Sequence, residues 1–295
     1  VIETAVPPYF DRNLAHTLVP GSDIDRHLVD LERAGVGRWI PFAPGRPVFQ
    51  YVEVARTAFL ARLSAHSRPR RAVLAAKSAQ WFLENALLEE ALELAIAGTD
   101  YELATRVYQA ISLARPESYL NDNLIRYLSR VPMHLLSRYP VLAFGRALCA
   151  LSNPATRAAA PDYFAVAVAH LPESADDLDW AEDAIQYVYK TISLRILRRF
   201  ADAGRVAHRG LAVLDRTGVD DQSDWVEMMP TALRHFSYSM YQIGEIDDAT
   251  AIVDRAITMA TTQRSRNYTA SYNVGFHAFG GRLRDARDAA AMIDL

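Results

Sequence analysis

The stretch GEIDDATAIVDRA, Gly244 to Ala256, follows an aromatic and apolar run that ends at Gln242 and Ile243, and its reading decides the fold. Taken alone it is a helix start behind a glycine turn. Beside three other segments it becomes one copy of a repeat. ALLEEA (Ala86 to Ala91), RRFADA (Arg198 to Ala203), GEIDDA (Gly244 to Ala249) and GRLRDA (Gly281 to Ala286) share an apolar third residue, Leu88, Phe200, Ile246 or Leu283. Two mostly charged positions and an alanine complete each copy. The four alanines are 112, 46 and 37 residues apart, which suits helical-hairpin units of about 34 to 40 residues if the first gap holds two less clearly patterned copies.

The pattern answers to the close packing of two antiparallel helices, with small residues where they touch and a larger apolar residue after the turn to wedge the pair. Leu233, Phe236, Ser237, Met240, Ile246, Ala249, Val253 and Ala256 follow this plan across both helices of the opening unit. Ala75, Ala79, Phe82, Leu88, Ala91, Ala95 and Gly98 do the same, as do Tyr187, Thr191, Leu194, Phe200, Ala203, Ala207 and Gly210. These positions resemble the tetratricopeptide (TPR) repeat, with Leu233 in place of the usual Trp, Ser237 of Gly and Met240 of Tyr. In such a unit Ala249→Leu is expected to overpack the hairpin.

Composition sets the outer limits. In 295 residues, 51% are hydrophobic and 23% charged, enough for a large core and too apolar for a disordered chain. Lys plus Arg number 32 against 35 for Asp plus Glu, a net charge of -3, so the basic field that holds nucleic acid through its phosphates is missing. A lone cysteine, Cys149, allows no disulfide within the chain, fits a reducing cytosol and reads as core filler. No apolar run approaches the ~20 residues that cross a bilayer, and the opening VIETAVPPYF lacks a signal peptide's basic start and apolar middle. Without an initial methionine the chain reads as an excised part of a longer protein, expected in the cytoplasm.

Low glycine content and apolar residues recurring at three and four make the chain all-helical after about residue 52. Before that, GSDIDRHLVDLERAGV predicts one helix with Ser22 as N-cap, Asp25 three residues on, Ile24, Leu28 and Leu31 on one face and Gly35 as the stop. GRWIPFAPGRPVFQYV predicts two short strands around a turn at Ala43 to Pro47, followed by a helix from about Val52 to Ala65. Helix, hairpin, helix suggests the end of a winged helix. Asp23, Asp25, Asp30 and Glu32 outweigh Arg26, His27 and Arg33 on the capped helix, which favours a packing module over a DNA reader. The expected domains are 1–67, winged-helix-like, and 68–295, TPR-like; the fold class is all-α, a TPR-like superhelix of helical hairpins behind a small winged-helix piece with a short β-hairpin. Between Arg115 and Ser174, Pro132, Pro140, Pro154, Pro161 and Pro172 break helical sequence into short pieces whose repeat phase is not legible.

The join between these parts supplies a second resemblance. PVFQYV, then VARTAFLARL, then the basic linker from Ser67 leading to Trp81 and Phe82, EEAL at Glu89 to Leu92 and a turn at Ala97 to Asp100 occur in the order seen in MalT-like regulators of the LuxR family. The likeness is closest from Gly21 to Ala110 and architectural beyond. It implies the central part of a bacterial STAND ATPase involved in signal transduction and transcription regulation. Such a protein carries an N-terminal nucleotide-binding module, a winged helix, a TPR superhelix that senses an inducer and a C-terminal helix-turn-helix. Inducer binding then biases a closed, ADP-held parent toward an open, ATP-bound oligomer. No G-x-x-x-x-G-K-[ST] occurs here, so ATP or ADP is expected only in the missing N-terminal domain and no cofactor in this part.

No enzyme is expected either. H-E-x-x-H, C-x-x-C and G-x-S-x-G are absent, and the histidines at 16, 27, 66, 134, 170, 208, 235 and 277 show no metal-ligand spacing. Glu173, Asp176, Asp177 and Asp179 read as an acidic helix start, favourable at the positive end of the helix dipole. Trp81, Trp180 and Trp225 read as core or repeat-junction residues. The first helix of each stacked hairpin lines the concave face, and residues there beyond the packing plan are ligand candidates. These are Arg195 in one unit, Thr231, Arg234, Tyr238, Tyr241 and Gln242 in the next, and Tyr268, Tyr272 and Asn273 in the last. Arg234, Tyr238 and Tyr241, spaced by four and three, form one stripe. Tyrosine and arginine suit a planar or sugar-like small molecule, or a peptide, since each offers an apolar face and a hydrogen-bonding tip. The expected partner is therefore a small-molecule effector, or alternatively a peptide or regulator protein on a TPR-type scaffold, with self-association a further expectation and no nucleic acid or membrane. Lying outside the packing plan, Arg234 and Tyr238 are expected to be replaceable by alanine with little change in melting temperature.

Overall fold

Among the described residues, five turns between helices share one construction. After each helix a residue takes a left-handed backbone conformation, and the amide behind it donates to the carbonyl five residues back. At Gly244 (φ 91°) Glu245 donates to Met240 at 3.1 Å, and at Gly281 (φ 78°) Arg282 donates to His277 at 2.8 Å. Ala86, Thr99 and Arg198 do the same with a side chain present, at φ 57°, 56° and 58°. This is the Schellman closure of a helix C-terminus, and it explains the hexapeptide alignment: the first residue of every aligned segment is the left-handed one. TDYELA, Thr99 to Ala104, is a fifth copy with the same left-handed first residue. Its Ala104 is buried like the others.

In the computed structural model, residues 2–43, 45–115, 121–172, 180–217, 225–291 and 293 are described. Two compact units result, Val1–Val107 and Tyr108–Leu295; the expected boundary after residue 67 falls inside the first. That unit opens with a 3-10 turn and α1 (Arg12–Leu18), a helix the sequence reading missed, capped by Asp11, whose carboxylate accepts from the Leu14 amide at 2.8 Å. The next helix, α2 (Ile24–Arg33), buries Ile24 and Leu28. Its cap is Asp23 rather than Ser22: the Ser22 hydroxyl turns back to donate to the Val19 carbonyl at 3.0 Å. Gly35 ends α2 as expected, at φ 69°. The antiparallel strands β1 (Gly37–Ala43) and β2 (Arg46–Tyr51) pair Trp39 with Phe49 and Gly37 with Tyr51, and α3 (Glu53–His66) follows. Phe10, Phe49, Tyr51 and Phe59 form a chain of rings 5.4 to 5.8 Å apart under the hairpin. Arg56 on α3 holds the N-terminal segment by donating to the carbonyls of Ala5, Val6 and Pro7. The hairpin α4 (Arg68–Glu84) with α5 (Leu88–Ala97) buries Ala75, Ala79, Phe82, Ala91 and Ala95 as the repeat requires, and α6 (Tyr101–Ala114) follows.

The second unit contains α7 (Asp122–Leu128), α8 (Pro140–Ser152) and α9 (Ala160–His170), then three full hairpins. Pro140 and Pro161 take first-turn positions of α8 and α9, where a missing N–H costs nothing. The hairpins pair α10 (Trp180–Ile196) with α11 (Phe200–Thr217), α12 (Trp225–Gln242) with α13 (Ile246–Met259), and α14 (Gln263–Phe279) with α15 (Leu283–Ala291). Because α12 also touches both α10 and α14, the first helices make one continuous layer. This is the TPR-like, all-α stack expected. The acidic run at Glu173 to Asp179, and the side chains of Trp180 and Trp225, lie outside the described residues.

One expectation fails. The apolar residue after the turn does not wedge its own hairpin: Phe200 is 37% and Leu283 71% exposed. Ile246 stands near the turn of the next hairpin instead, its Cγ2 3.3 Å from where a Cβ on Gly280 would stand. The small-residue rule holds, since Ala249, Ala256 and Ser237 are all buried. Ala249→Leu is therefore expected to destabilise by about 1–3 kcal/mol through overpacking, read as a lower denaturation midpoint at unchanged slope; a neutral result would mean that the two helices separate easily.

Candidate functional site

Arginine and tyrosine side chains from α10, α12 and α14 converge on the first-helix layer of the second unit. The Arg195 guanidinium lies 4.8 Å from the Tyr238 ring, and Arg234 lies 4.5 Å from Tyr268 and 5.9 Å from Tyr272. Cations over aromatic faces are held by the ring quadrupole, more strongly where water is excluded. The rings also meet each other. Tyr241 and Phe276 stack at 4.6 Å, Tyr238 meets Tyr272 edge-on at 5.6 Å, and the hydroxyls of Tyr268 and Tyr272 are 3.4 Å apart. Burial first, then the hydrogen bond and charge of Tyr268, push the Tyr272 phenol up to about 12.

The nine sequence candidates divide into two groups. Arg234, only 2% exposed, donates to the hydroxyls of Thr231 and Thr269, both buried, at 3.2 Å each. It therefore joins α12 to α14, a buried place at odds with the expectation that its removal costs little, since its planar five-donor fork bridges the two helices. Thr231 belongs to the same buried contact. Asn273 faces the second layer, where its amide donates to Asp254 at 2.7 Å. Gln242 is half-buried at the end of α12. Tyr238, Tyr241, Tyr272 and Arg195 are half-buried and Tyr268 is 49% exposed, so these five share the accessible part of the cluster. Two members escaped the sequence reading. Phe276 is the hub of the rings, but phenylalanine in a helical repeat reads as ordinary core. His235 accepts at Nδ1 from Arg195 Nη2 at 2.8 Å; an arginine can only donate, so the neutral ring carries its proton on Nε2.

Burial, with Arg195 and Arg234 beside it, holds His235 well below the ordinary histidine value. The folded protein thus keeps a neutral ring where the unfolded chain takes a proton below about pH 6.5, and stability present above that pH is lost as the pH falls. The expected slope reaches about 1.4 kcal/mol per pH unit below 6.5. His235→Asn keeps an acceptor for Arg195 and removes the titration, so its melting temperature should fall less between pH 7 and pH 5; parallel curves for the two proteins would place the proton elsewhere.

Behind this layer Ser112, Phe144, Tyr189, Met228, Thr231 and His235 are among the residues lining a cavity with space for about one water. In the first unit an open depression of about 350 Å³ is bordered by Arg12, Trp39, Gly45 and Arg46. Its arginines are engaged, Arg12 with Asp25 at 2.9 Å and Arg46 with Asn85 at 2.7 Å. Among the described residues no group of three or more His, Cys, Asp or Glu could hold a metal ion, and no helix is long and apolar enough to cross a membrane.

No protein-family model matches the chain, and no curated protein does. Among solved structures it resembles a STAND (signal transduction ATPase with numerous domains) protein with a tetratricopeptide repeat sensor from Pyrococcus horikoshii, with a TM-score of 0.58 at 11% identity. The fold is TPR-like. That match covers 99% of this chain and 43% of the other, so the chain spans less than half the length of its neighbour. BtubC from P. vanneervenii aligns over 92% of this chain and 90% of its own at 14% identity, with a TM-score of 0.38, too low to bear on the fold.

Proposed function

We propose that the chain is the regulatory, effector-sensing part of a STAND-type transcriptional regulator of the MalT-like, LuxR-family kind, working in the bacterial cytoplasm. It is not an enzyme in this reading, holds no cofactor of its own and binds no nucleic acid; nucleotide and promoter binding belong to other domains of the parent. The observation that carries the proposal is the cluster on α12 and α14, where Tyr238, Tyr241, Tyr268 and Tyr272 stay partly exposed and Arg195 lies over the Tyr238 ring. A small molecule with a flat apolar face and hydroxyl or carboxylate edges, a sugar or a planar acid, matches that surface. An effector favouring one arrangement of the hairpins over another would shift the parent between its states by the difference of its two affinities.

A thermal-shift screen of the protein against oligosaccharides and planar acids, with ATP and duplex DNA as controls, tests the proposal. A concentration-dependent rise in melting temperature that Tyr268→Ala and Tyr241→Ala abolish would support it. Absence of any shift would refute small-molecule sensing and favour the alternative, a TPR-type scaffold for a peptide or regulator protein.

A further inference from the structure

On α14 two phenols stand one turn apart and meet at their tips, the hydroxyls of Tyr268 and Tyr272 lying 3.4 Å from each other. The pair faces the preceding hairpin. Counted back by the 37-residue repeat, Tyr268 and Tyr272 fall on Thr231 and His235, which face α10, and Arg234 of α12 lies 4.5 Å from the first ring and 5.9 Å from the second. Bonded to each other, the two hydroxyls use one O–H and leave one donor for a ligand. A negative oxygen does better: at about 2.6 Å from each hydroxyl it spans the 3.4 Å gap and accepts from both. The charges of Arg234 and Arg195 both favour negative charge at Tyr272. Burial nevertheless keeps that phenol protonated, pushed up to about 12, so at neutral pH it donates.

We infer that the effector carries a carboxylate, received between the Tyr268 and Tyr272 hydroxyls, on a flat apolar body that lies against Tyr238 and Tyr241. The inference rests on the effector-sensing reading of the same cluster and names the chemical class that the cluster selects. Tyr238 stands edge-on to Tyr272 with 5.6 Å between centroids, so a ring bonded directly to the carboxylate reaches it. The rings of Tyr238 and Tyr241 are parallel to within 7° and both partly exposed, an arrangement that suits a planar partner. A neutral sugar would meet the same hydroxyls but gain nothing from the two guanidiniums. A bare phosphate would find the donors and leave the parallel rings unused.

Saturation-transfer NMR and calorimetry of the 295-residue protein at pH 7 test this, with benzoate and 2-naphthoate each set beside its neutral carboxamide and beside inorganic phosphate. Both carboxylates are expected to bind at least about tenfold more tightly than their carboxamides or phosphate, the effect of charge-assisted hydrogen bonds. Tyr268→Phe and Tyr272→Phe keep the rings over Arg234 and remove only the hydroxyls. Each should weaken carboxylate binding about tenfold, with carboxamide affinity and melting temperature nearly unchanged. Carboxylates that do not bind, that bind no better than the carboxamides or phosphate, or that ignore both phenylalanine variants would overturn the inference. A neutral oligosaccharide that raises the melting temperature of both variants as it does that of the wild type would also overturn it, while leaving the effector-sensing reading in place; a wider screen with no shift at all would remove both.

Discussion

Phe236→Ala is expected to destabilise the second unit by about 3–5 kcal/mol, the cost of losing a fully buried ring and leaving a cavity that its surroundings fill only in part. The ring lies at the seam between consecutive hairpins: a Cβ on Gly210 of α11 would overlap it. That contact makes the prediction specific to a pair. Gly210→Ala gains about 1 kcal/mol of helix propensity but drives a methyl group into a ring with nowhere to go, at about 1–3 kcal/mol. In the double variant the methyl enters the space the ring has left, so the two costs are expected to fall short of additive by about 0.5–3 kcal/mol. Urea denaturation of the four proteins reads the coupling directly. Strict additivity would mean that α11 and α12 move apart to admit the methyl group. Gly204, where a Cβ would overlap Ile243 of the same seam, is placed to show the same behaviour.

Arg234→Ala is expected to cost about 2–4 kcal/mol, summing two hydrogen bonds to hydroxyls and a water-excluded cation over aromatic rings. Its fork is shared between Thr231 on its own helix and Thr269 on α14, with Tyr268 and Tyr272 above it. Arg234→Lys should recover only part of the loss, because an ammonium is a point donor and cannot reach both hydroxyls in one plane. Tyr268→Ala, at a half-exposed position, should cost less than about 1 kcal/mol. Chemical denaturation of these three variants separates the roles: a large loss at Tyr268 with a small one at Arg234 would invert the assignment and return Arg234 to the ligand surface.

That reassignment shows where sequence reasoning stopped. Alanine, glycine and apolar spacing describe contacts inside one hairpin, and there the expectation matches the structure, from Ala75 and Phe82 to Ala249 and Val253. Contacts between hairpins have no period in the sequence. A buried arginine looks the same in one dimension as a ligand-binding one, since both stand on the first helix outside the packing plan. Arg234 and Tyr238 share a stripe by spacing, yet one is enclosed by α14 and the other keeps an open face. Phe276 lay outside the candidate set for the converse reason, that an apolar ring at a core spacing carries no mark of the tyrosines it gathers.

The repeat, the antiparallel hairpins, the strands around residues 43 to 47 and the tyrosines and arginines of the first-helix layer were determined by the sequence itself, because short-range sterics and helical periodicity act within about forty residues. Which of those side chains are enclosed, that Ile246 meets the turn of the neighbouring hairpin, and that His235 is held neutral with Arg195 and Arg234 beside it were decided by the tertiary structure alone. Each depends on what an adjacent helix brings within a few ångströms, and that distance is set by the stacking of hairpins rather than by any spacing along the chain.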